Sequence, residues 1–341
     1  APYRSTDVIA NTKGIDVVLD GHSHSVIKSD EVDNAEGKKV LLSQTGTKLE
    51  SIGKLVIKAD GSLSTELVKE YTKKDEATAT FIGKIQEDLQ TVLNTVVAKS
   101  DVELSINAED GTRAVRNRET AIGDFCADAY RYVSGADIAF VNGGGVRATI
   151  AKGEVTYEDI INVHPYGNEM CVIEVTGQEI IDALELGSKN ILAETVTKAE
   201  DGTLNAAGES GGFLQVSGLE YIIDPAINSS VVVDENGLFV KVDGERRVKE
   251  VKVLNKETGK YEAIDLNKTY TLAAHNYMIK SMGDGFSMFA DNALIQDSVM
   301  LDNQVLITYI KDNLKGVIGE DYASPEGRIT VLGANEAKKA A

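Results

Sequence analysis

Tryptophan is absent from this 341-residue sequence, and proline occurs only four times against 31 glycines, so glycine carries most of the turns. Two cysteines, Cys126 and Cys171, are too few for a disulfide scaffold or a Cys-rich zinc module. They read as two buried free thiols, with a single bridge between them as the alternative. Histidine is scarce as well: only His22, His24, His164 and His275 are present, and any histidine-based metal site must draw on these four. Basic charge is in deficit, with 35 Lys and Arg against 54 Asp and Glu, for a net charge of −19. The basic footprint that nucleic acids and anionic membranes require is therefore missing. No apolar run approaches the ~20 residues needed to span a bilayer. These absences exclude nucleic acid as a partner and membrane insertion, and they leave an acidic α/β chain long enough to bury a core.

The chain begins Ala1-Pro2-Tyr3-Arg4. Neither an initiating methionine nor a signal peptide is present, which leads to the expectation of a processing boundary at the start.

Hydrophobic periodicity organises the rest of the chain. Ile15–Leu19 reads as a short buried strand running into Gly21-His22-Ser23-His24. Residues 39–43 and 51–58 read as further strands, and Asp60-Gly61 is a hairpin turn before Leu63–Val68. Phe81, Ile85, Leu89, Val92, Leu93 and Val96 form one helical face over 76–97, with Asp75 as N-cap. Beyond it, 137–142 is a buried strand ending in Asn142-Gly143-Gly144-Gly145. Thr156 with Asp159, and Thr176 with Glu179, are helix-start boxes, and the first of these helices must stop before Pro165. Asn236-Gly237 marks a second hairpin. Val305, Leu306, Tyr309, Ile310, Leu314 and Val317 make a last helical face, and 328–332 a last strand.

Several clusters carry chemistry. His22 and His24 stand on one loop, where each imidazole can bind a metal ion; the alternative is a pair of polar loop residues. In Asn142-Gly143-Gly144-Gly145-Val146-Arg147 the glycines permit close approach and positive φ, and Arg147 offers a planar fork for phosphate or carboxylate. A tight connection with a surface arginine is the plain alternative. It is no Walker A loop, since no Gly-Lys pair is followed by Ser or Thr. Arg116 and Arg118 precede a helix, where free N–H groups attract anions, or else they are solvated. Tyr166 lies on a loop and can stack on a base, and Asp284 between two glycines can accept sugar hydroxyls. His164 and His275 read as structural histidines.

Together GIDVVLDGHSH, RNRETAIGDFCADA, GADIAFVNGGGVRATI, VTYEDIINVHPYGN and GDGF resemble the 5′-nucleotidase family of secreted metallophosphoesterases, over roughly residues 10–332. That family includes UDP-sugar hydrolases and 2′,3′-cyclic phosphodiesterases. The resemblance implies an α/β fold. It makes 1–74 the C-terminal remnant of a calcineurin-like α/β/β/α metallophosphoesterase domain, 75–100 a connecting helix, 101–334 the substrate-binding C-terminal domain with a mixed sheet and helices, and 335–341 a disordered tail. It also implies an extracellular, periplasmic or cell-surface location. His22 and His24 resemble the last metal-ligating pair of a centre holding two divalent ions such as zinc or manganese. Arg116 and Arg147 resemble the substrate arginines and Asn142 the base-recognising asparagine. Gly144 and Gly145 line the pocket, Tyr166 is one face of the base sandwich, and Asp284 holds the ribose hydroxyls.

Two departures stand out. Where the family often reads Asn-Asp-Phe-Leu-Ala-Ser-Gly-Gly-Asp, this sequence has Asn276-Tyr277-Met278-Ile279-Lys280-Ser281-Met282-Gly283-Asp284. By direct count Met278 takes the Phe position, with Tyr277 as the other candidate, and Met282 replaces a glycine. The family's earlier metal motifs and its catalytic histidine have no counterpart here. The expectation is thus a chain that supplies nucleoside or nucleotide recognition and the last metal ligands, hydrolyses nucleotide phosphate esters only together with a missing N-terminal part of the same protein, and is inactive alone. The alternative is a non-catalytic nucleoside-binding or surface module.

Overall fold

The computed structural model describes residues 4–23, 25–109, 111–192 and 208–332, and the backbone of 197–198 and 204–205. The expected tail over 335–341 and His24 lie outside the described residues. The chain divides into two compact units, 1–86 and 87–341.

The first unit contains α1 (Ser5–Ala10), β1 (Val17–Asp20), β2 (Val26–Asp33), β3 (Lys39–Thr45), β4 (Ile52–Ile57) and β5 (Leu63–Val68). Its three-stranded sheet has the order β1-β3-β2, with β1 parallel and β2 antiparallel to β3. Ile9, Val40 and Leu42 form a small core. β4 and β5 pair as the hairpin that Asp60-Gly61 announced, with Gly61 at φ +83°. One expectation needs correcting. β1 starts at Val17 and is only partly covered, with Leu19 66% exposed, because successive side chains alternate faces and it is Val18 that packs on the Ile9–Val40–Leu42 core.

Helix α2 (Glu76–Leu93) runs across the division between the units. Asp75 caps it, its Oδ1 accepting the Thr78 N–H at 2.8 Å. The connecting helix expected over 75–100 is shorter than that. Thr95, Val96 and Val97 are β-branched and disfavour a helix, and the chain becomes β6 (Val96–Ser100), paired with β8 (Gly153–Thr156).

In the second unit α3 (Ala121–Ser134) leads to β7 (Ile138–Asn142). After β8 come α4 (Tyr157–Val163), β9 (Met170–Thr176) and α5 (Gly177–Ser188). Two short paired segments follow, β10 (Thr197–Lys198) and β11 (Leu204–Asn205), and then β12 (Leu214–Ser217), β13 (Leu219–Ile223), β14 (Val231–Val233) and β15 (Phe239–Val242). The chain continues as β16 (Val248–Asn255), β17 (Lys260–Ala263), β18 (Thr269–His275), α6 (Asn276–Ile279), β19 (Leu294–Gln296), α7 (Asp302–Asp312), β20 (Val317–Ile318) and β21 (Ile329–Val331). The last helical face is therefore cut short. Val317 belongs to β20, beyond the turn at Gly316, whose φ is +88°.

A five-stranded mixed sheet in the order β12-β7-β18-β9-β19 forms the centre of this unit. Every residue of β7 is buried, and its side chains alternate between two cores, as the two-residue period of a strand demands. Ala139 and Val141 face α3 and α7, alongside Phe125, Tyr130 and Leu306. Ile138 and Phe140 face α5 and the second sheet, β17-β16-β13-β21. Both expected helix-start boxes form. Thr156 Oγ1 accepts the Asp159 N–H at 3.2 Å, and Thr176 Oγ1 accepts that of Glu179 at 3.2 Å.

Candidate functional site

β7 delivers Asn142 to the edge of the central sheet, 3% exposed. Three glycines follow, and the reason for them differs from the expected one. None of the three has positive φ. They are needed for close packing instead. A Cβ on Gly143 would stand 2.2 Å from the Val115 carbonyl oxygen, one on Gly144 would stand 3.0 Å from Gly211, and one on Gly145 would stand 2.6 Å from Asn142 Oδ1. The loop is held by Gly143 N–H to Phe213 O at 2.7 Å and Gly144 N–H to Gly211 O at 2.8 Å. Positive φ falls instead on Met282 (+52°) and Asp284 (+53°), two non-glycine residues.

Asn142 joins two distant elements. Its Nδ2 donates to Asp284 Oδ2 at 2.6 Å, and its Oδ1 lies 2.8 Å from His275 Nε2. Burial, and then His164, push the His275 imidazole down to about 3, so it is neutral. His164 is lowered by burial too, and its Nδ1 sits 3.0 Å from Gly145 O. The two histidines thus brace the glycine loop from below, a role that their sequence positions did not announce.

Tyr277 reaches Asp284 from the other side. Its hydroxyl donates to Asp284 Oδ1 at 3.4 Å and accepts the Asp284 N–H at 3.2 Å. Burial and the Asp284 carboxylate raise the Tyr277 phenol. Here the Met278 assignment is corrected. Met278 is 0% exposed and belongs to the core, whereas Tyr277 is 40% exposed. Consecutive residues on the single turn of α6 point ~100° apart, so only one of them can face the open side. Gly283 is required beneath the tyrosine, since a Cβ there would meet the ring at 2.3 Å.

Arg116 lies in the short turn Ala114–Arg116, half-buried, with its Cα 3.1 Å from where a Gly143 Cβ would stand. Burial, then Arg113 and Arg147, press its guanidinium below the ordinary value. Arg113 pairs with Glu209 at 2.8 Å. Among the described residues neither Arg116 nor Arg147 has an ion pair. The Arg147 guanidinium lies 5.8 Å from the Tyr166 ring centroid, within cation–π reach. Tyr166 is 60% exposed at the apex of a loop tied by Arg147 N–H to Val163 O and by Asp302 N–H to Asn168 O, each at 2.9 Å. At the start of α3 part of the helix terminus that could meet an anion beside Arg116 and Arg118 is already occupied. Thr120 Oγ1 already accepts the Gly123 N–H, Gln215 Oε1 accepts that of Thr120, and Arg118 turns to Asn117.

Arg116, Gly144, Gly145, Asn142, Asp284, Tyr277, Tyr166 and Arg147 therefore share one neighbourhood. It holds a carboxylate and an amide anchored to each other, an exposed aromatic, and two guanidiniums without an ion pair among the described residues. A cavity of about 430 Å³ lined by Asp137, Lys256, Glu262 and Lys268 lies elsewhere and shares none of these residues.

In the first unit, His22 follows β1 at φ +67° and is exposed. Ser23 ties this turn to the buried Gln44, with Oγ to Oε1 at 3.0 Å. No group of three or more His, Cys, Asp or Glu placed to hold a metal ion occurs among the described residues.

The family model for the 5′-nucleotidase C-terminal domain matches residues 96–291, which carry all of the neighbourhood just described. This chain belongs to the 5′-nucleotidase family. It is 30% identical over 322 residues to the trifunctional nucleotide phosphoesterase of Bacillus subtilis, covering 90% of this chain and 19% of that protein. It is 26% identical over 326 residues to a cell wall protein of Listeria monocytogenes, covering 87% and 35%. The crystallised 5′-nucleotidase precursor of Thermus thermophilus superposes with a TM-score of 0.64 at 26% identity, over 97% of this chain and 62% of that one. The chain thus spans less than two thirds of each of these relatives.

Proposed function

We propose that the second unit is the nucleotide-recognition part of a phosphate-ester hydrolase. The observation that carries this is the pair Arg116, half-buried, and Arg147, exposed beside the Tyr166 ring, neither of which has an ion pair among the described residues. Like charges are gathered in this way where an anion of the ligand is to meet them, and a planar arginine fork suits phosphate. Asp284 offers a carboxylate to sugar hydroxyls, and Asn142 beneath it holds that carboxylate with its amide. Tyr166 and Tyr277 are the exposed rings on which a base can stack. Phosphate, sugar and base are thereby each given a partner of fitting chemistry.

The two divalent ions that the resemblance implies do not find a complete set of ligands among the described residues, of which only His22 is at hand. The chain's own contribution is binding and orientation. A location at or beyond the cell surface is in keeping with the cell wall relative. No helix among the described residues is long and apolar enough to cross a membrane.

Phosphate release from AMP by the purified 341-residue chain, with and without added Mn²⁺ or Zn²⁺, tests the division of labour. Saturable AMP binding without turnover is expected. Robust metal-dependent turnover would show that the chain hydrolyses by itself.

A further inference from the structure

His275 ends β18 at 1% exposure, hydrogen-bonds to Asn142 at 2.8 Å and lies beside the Tyr277 ring, with centroids 5.9 Å apart. Both ends of the Asn142 amide are committed. Nδ2 faces a carboxylate oxygen of Asp284 at 2.6 Å, which demands that the amide donate there. Oδ1 is then the atom facing His275 at 2.8 Å, which demands that Nε2 carry the ring proton. The remaining ring nitrogen, Nδ1, is buried without a partner, so a lone pair rather than an N–H is left unmet. Flipping the amide would set Oδ1 against the carboxylate and Nδ2–H against Nε2–H. Each group in the chain His275–Asn142–Asp284 therefore fixes the next.

We propose that His275 is a positioning residue: through Asn142 it holds the Asp284 carboxylate, anchored by Oδ2, so that Oδ1 receives a hydroxyl group of the bound sugar. This rests on the nucleotide reading above. Asp284 sits at φ +53°, in the left-handed region that aspartate enters more readily than most residues other than glycine. Among the described residues Oδ1 has only the longer Tyr277 hydrogen bond of 3.4 Å, which a ligand hydroxyl can displace. Removing the His275 N–H releases the Asn142 amide to rotate, and the charge-assisted bond to Asp284 goes with it.

The test uses the full chain, with adenosine and 2′,3′-dideoxyadenosine as probes in calorimetry. His275→Leu and His275→Met are expected to weaken adenosine about tenfold, the scale of one lost hydrogen bond to a charged group. Dideoxyadenosine, which lacks the 2′ and 3′ hydroxyls expected at Asp284, should change by less than about twofold. His275→Gln, whose amide N–H can replace Nε2–H, should restore adenosine binding to within about threefold. Imidazole ¹⁵N shifts of the wild type should report the Nε2–H tautomer. Equal losses on both probes, a Gln variant as weak as Leu, or an Nδ1–H signature would each overturn the proposal. A wild-type chain that binds neither probe would instead show that the nucleotide reading had failed, a result that no His275 variant can produce.

Discussion

Replacing Asn142 by Asp changes one nitrogen to oxygen at constant shape and sets two carboxylates face to face. The wild-type Nδ2 lies 2.6 Å from Asp284 Oδ2, so the variant would lose a charge-assisted hydrogen bond and gain like charges at a buried position. With the carboxylate centres about 4 Å apart and an effective dielectric near 20, the repulsion is about 4 kcal/mol. The folded variant escapes most of this by taking up a proton, on one of the two carboxyls or on His275 beside them. Repulsion of that size is equivalent to about three units of pKa, which carries the shared proton's affinity from ~4 to ~7. A pKa raised by folding contributes stability that is complete below the unfolded value and lost as pH rises through the folded one. Asn142→Asp should therefore match the wild type near pH 4, lose about 1.4 kcal/mol per pH unit above it, and level off about 4 kcal/mol less stable near pH 7. Urea denaturation at half-unit steps from pH 4 to 8 measures this directly. A deficit independent of pH, or a variant as stable as the wild type at pH 8, would refute the Asn142–Asp284 contact.

A second titration concerns Asp124. Burial first, and then Glu119, push it up to about 9, while Arg328 stands 3.9 Å away and serves Asp128 at 2.9 Å. The stability that its neutral form contributes is complete below the unfolded value of ~4 and is lost as pH rises through the folded one. Asp124→Asn should therefore match the wild type near pH 4 and exceed it in melting temperature at pH 10; equal melting temperatures at pH 10 would count against the assignment. Gly143→Ala drives a Cβ to 2.2 Å from the Val115 carbonyl and should cost about 1–3 kcal/mol in urea denaturation. Met282→Gly removes a side chain from a left-handed position and should stabilise by about 1 kcal/mol in the same assay.

Much of this architecture is legible in the amino-acid sequence. The all-apolar run of β7 tells of a strand buried on both faces, and the Thr156–Asp159 and Thr176–Glu179 boxes name two helix starts. Arg116, Asn142, Arg147, Tyr166 and Asp284 each stand out by residue type and setting, and the fold brings them into one neighbourhood. The features that the sequence hides have physical causes. The choice between Tyr277 and Met278 turns on a ~100° rotation within one helical turn, which a motif count does not resolve. The glycine loop reads as a source of positive φ, but its constraint is contact with Val115 and Gly211, residues far away in sequence. His275 reads as a plain core histidine because its partner, Asn142, is 133 positions away. A helix face extended to Val317 overlooks the break at Gly316.

The central claim, that Arg116 and Arg147 receive the phosphate of a nucleotide whose nucleoside rests on Asn142 and Asp284, is tested most directly by titrating AMP and adenosine into the wild-type chain and its Arg147→Ala variant. One site is expected, with AMP bound more tightly than adenosine, and an Arg147→Ala chain that loses about tenfold on AMP and nothing on adenosine, in keeping with one charged contact. Equal affinities for the two ligands in the wild type, or an AMP affinity that Arg147→Ala leaves unchanged, would contradict it.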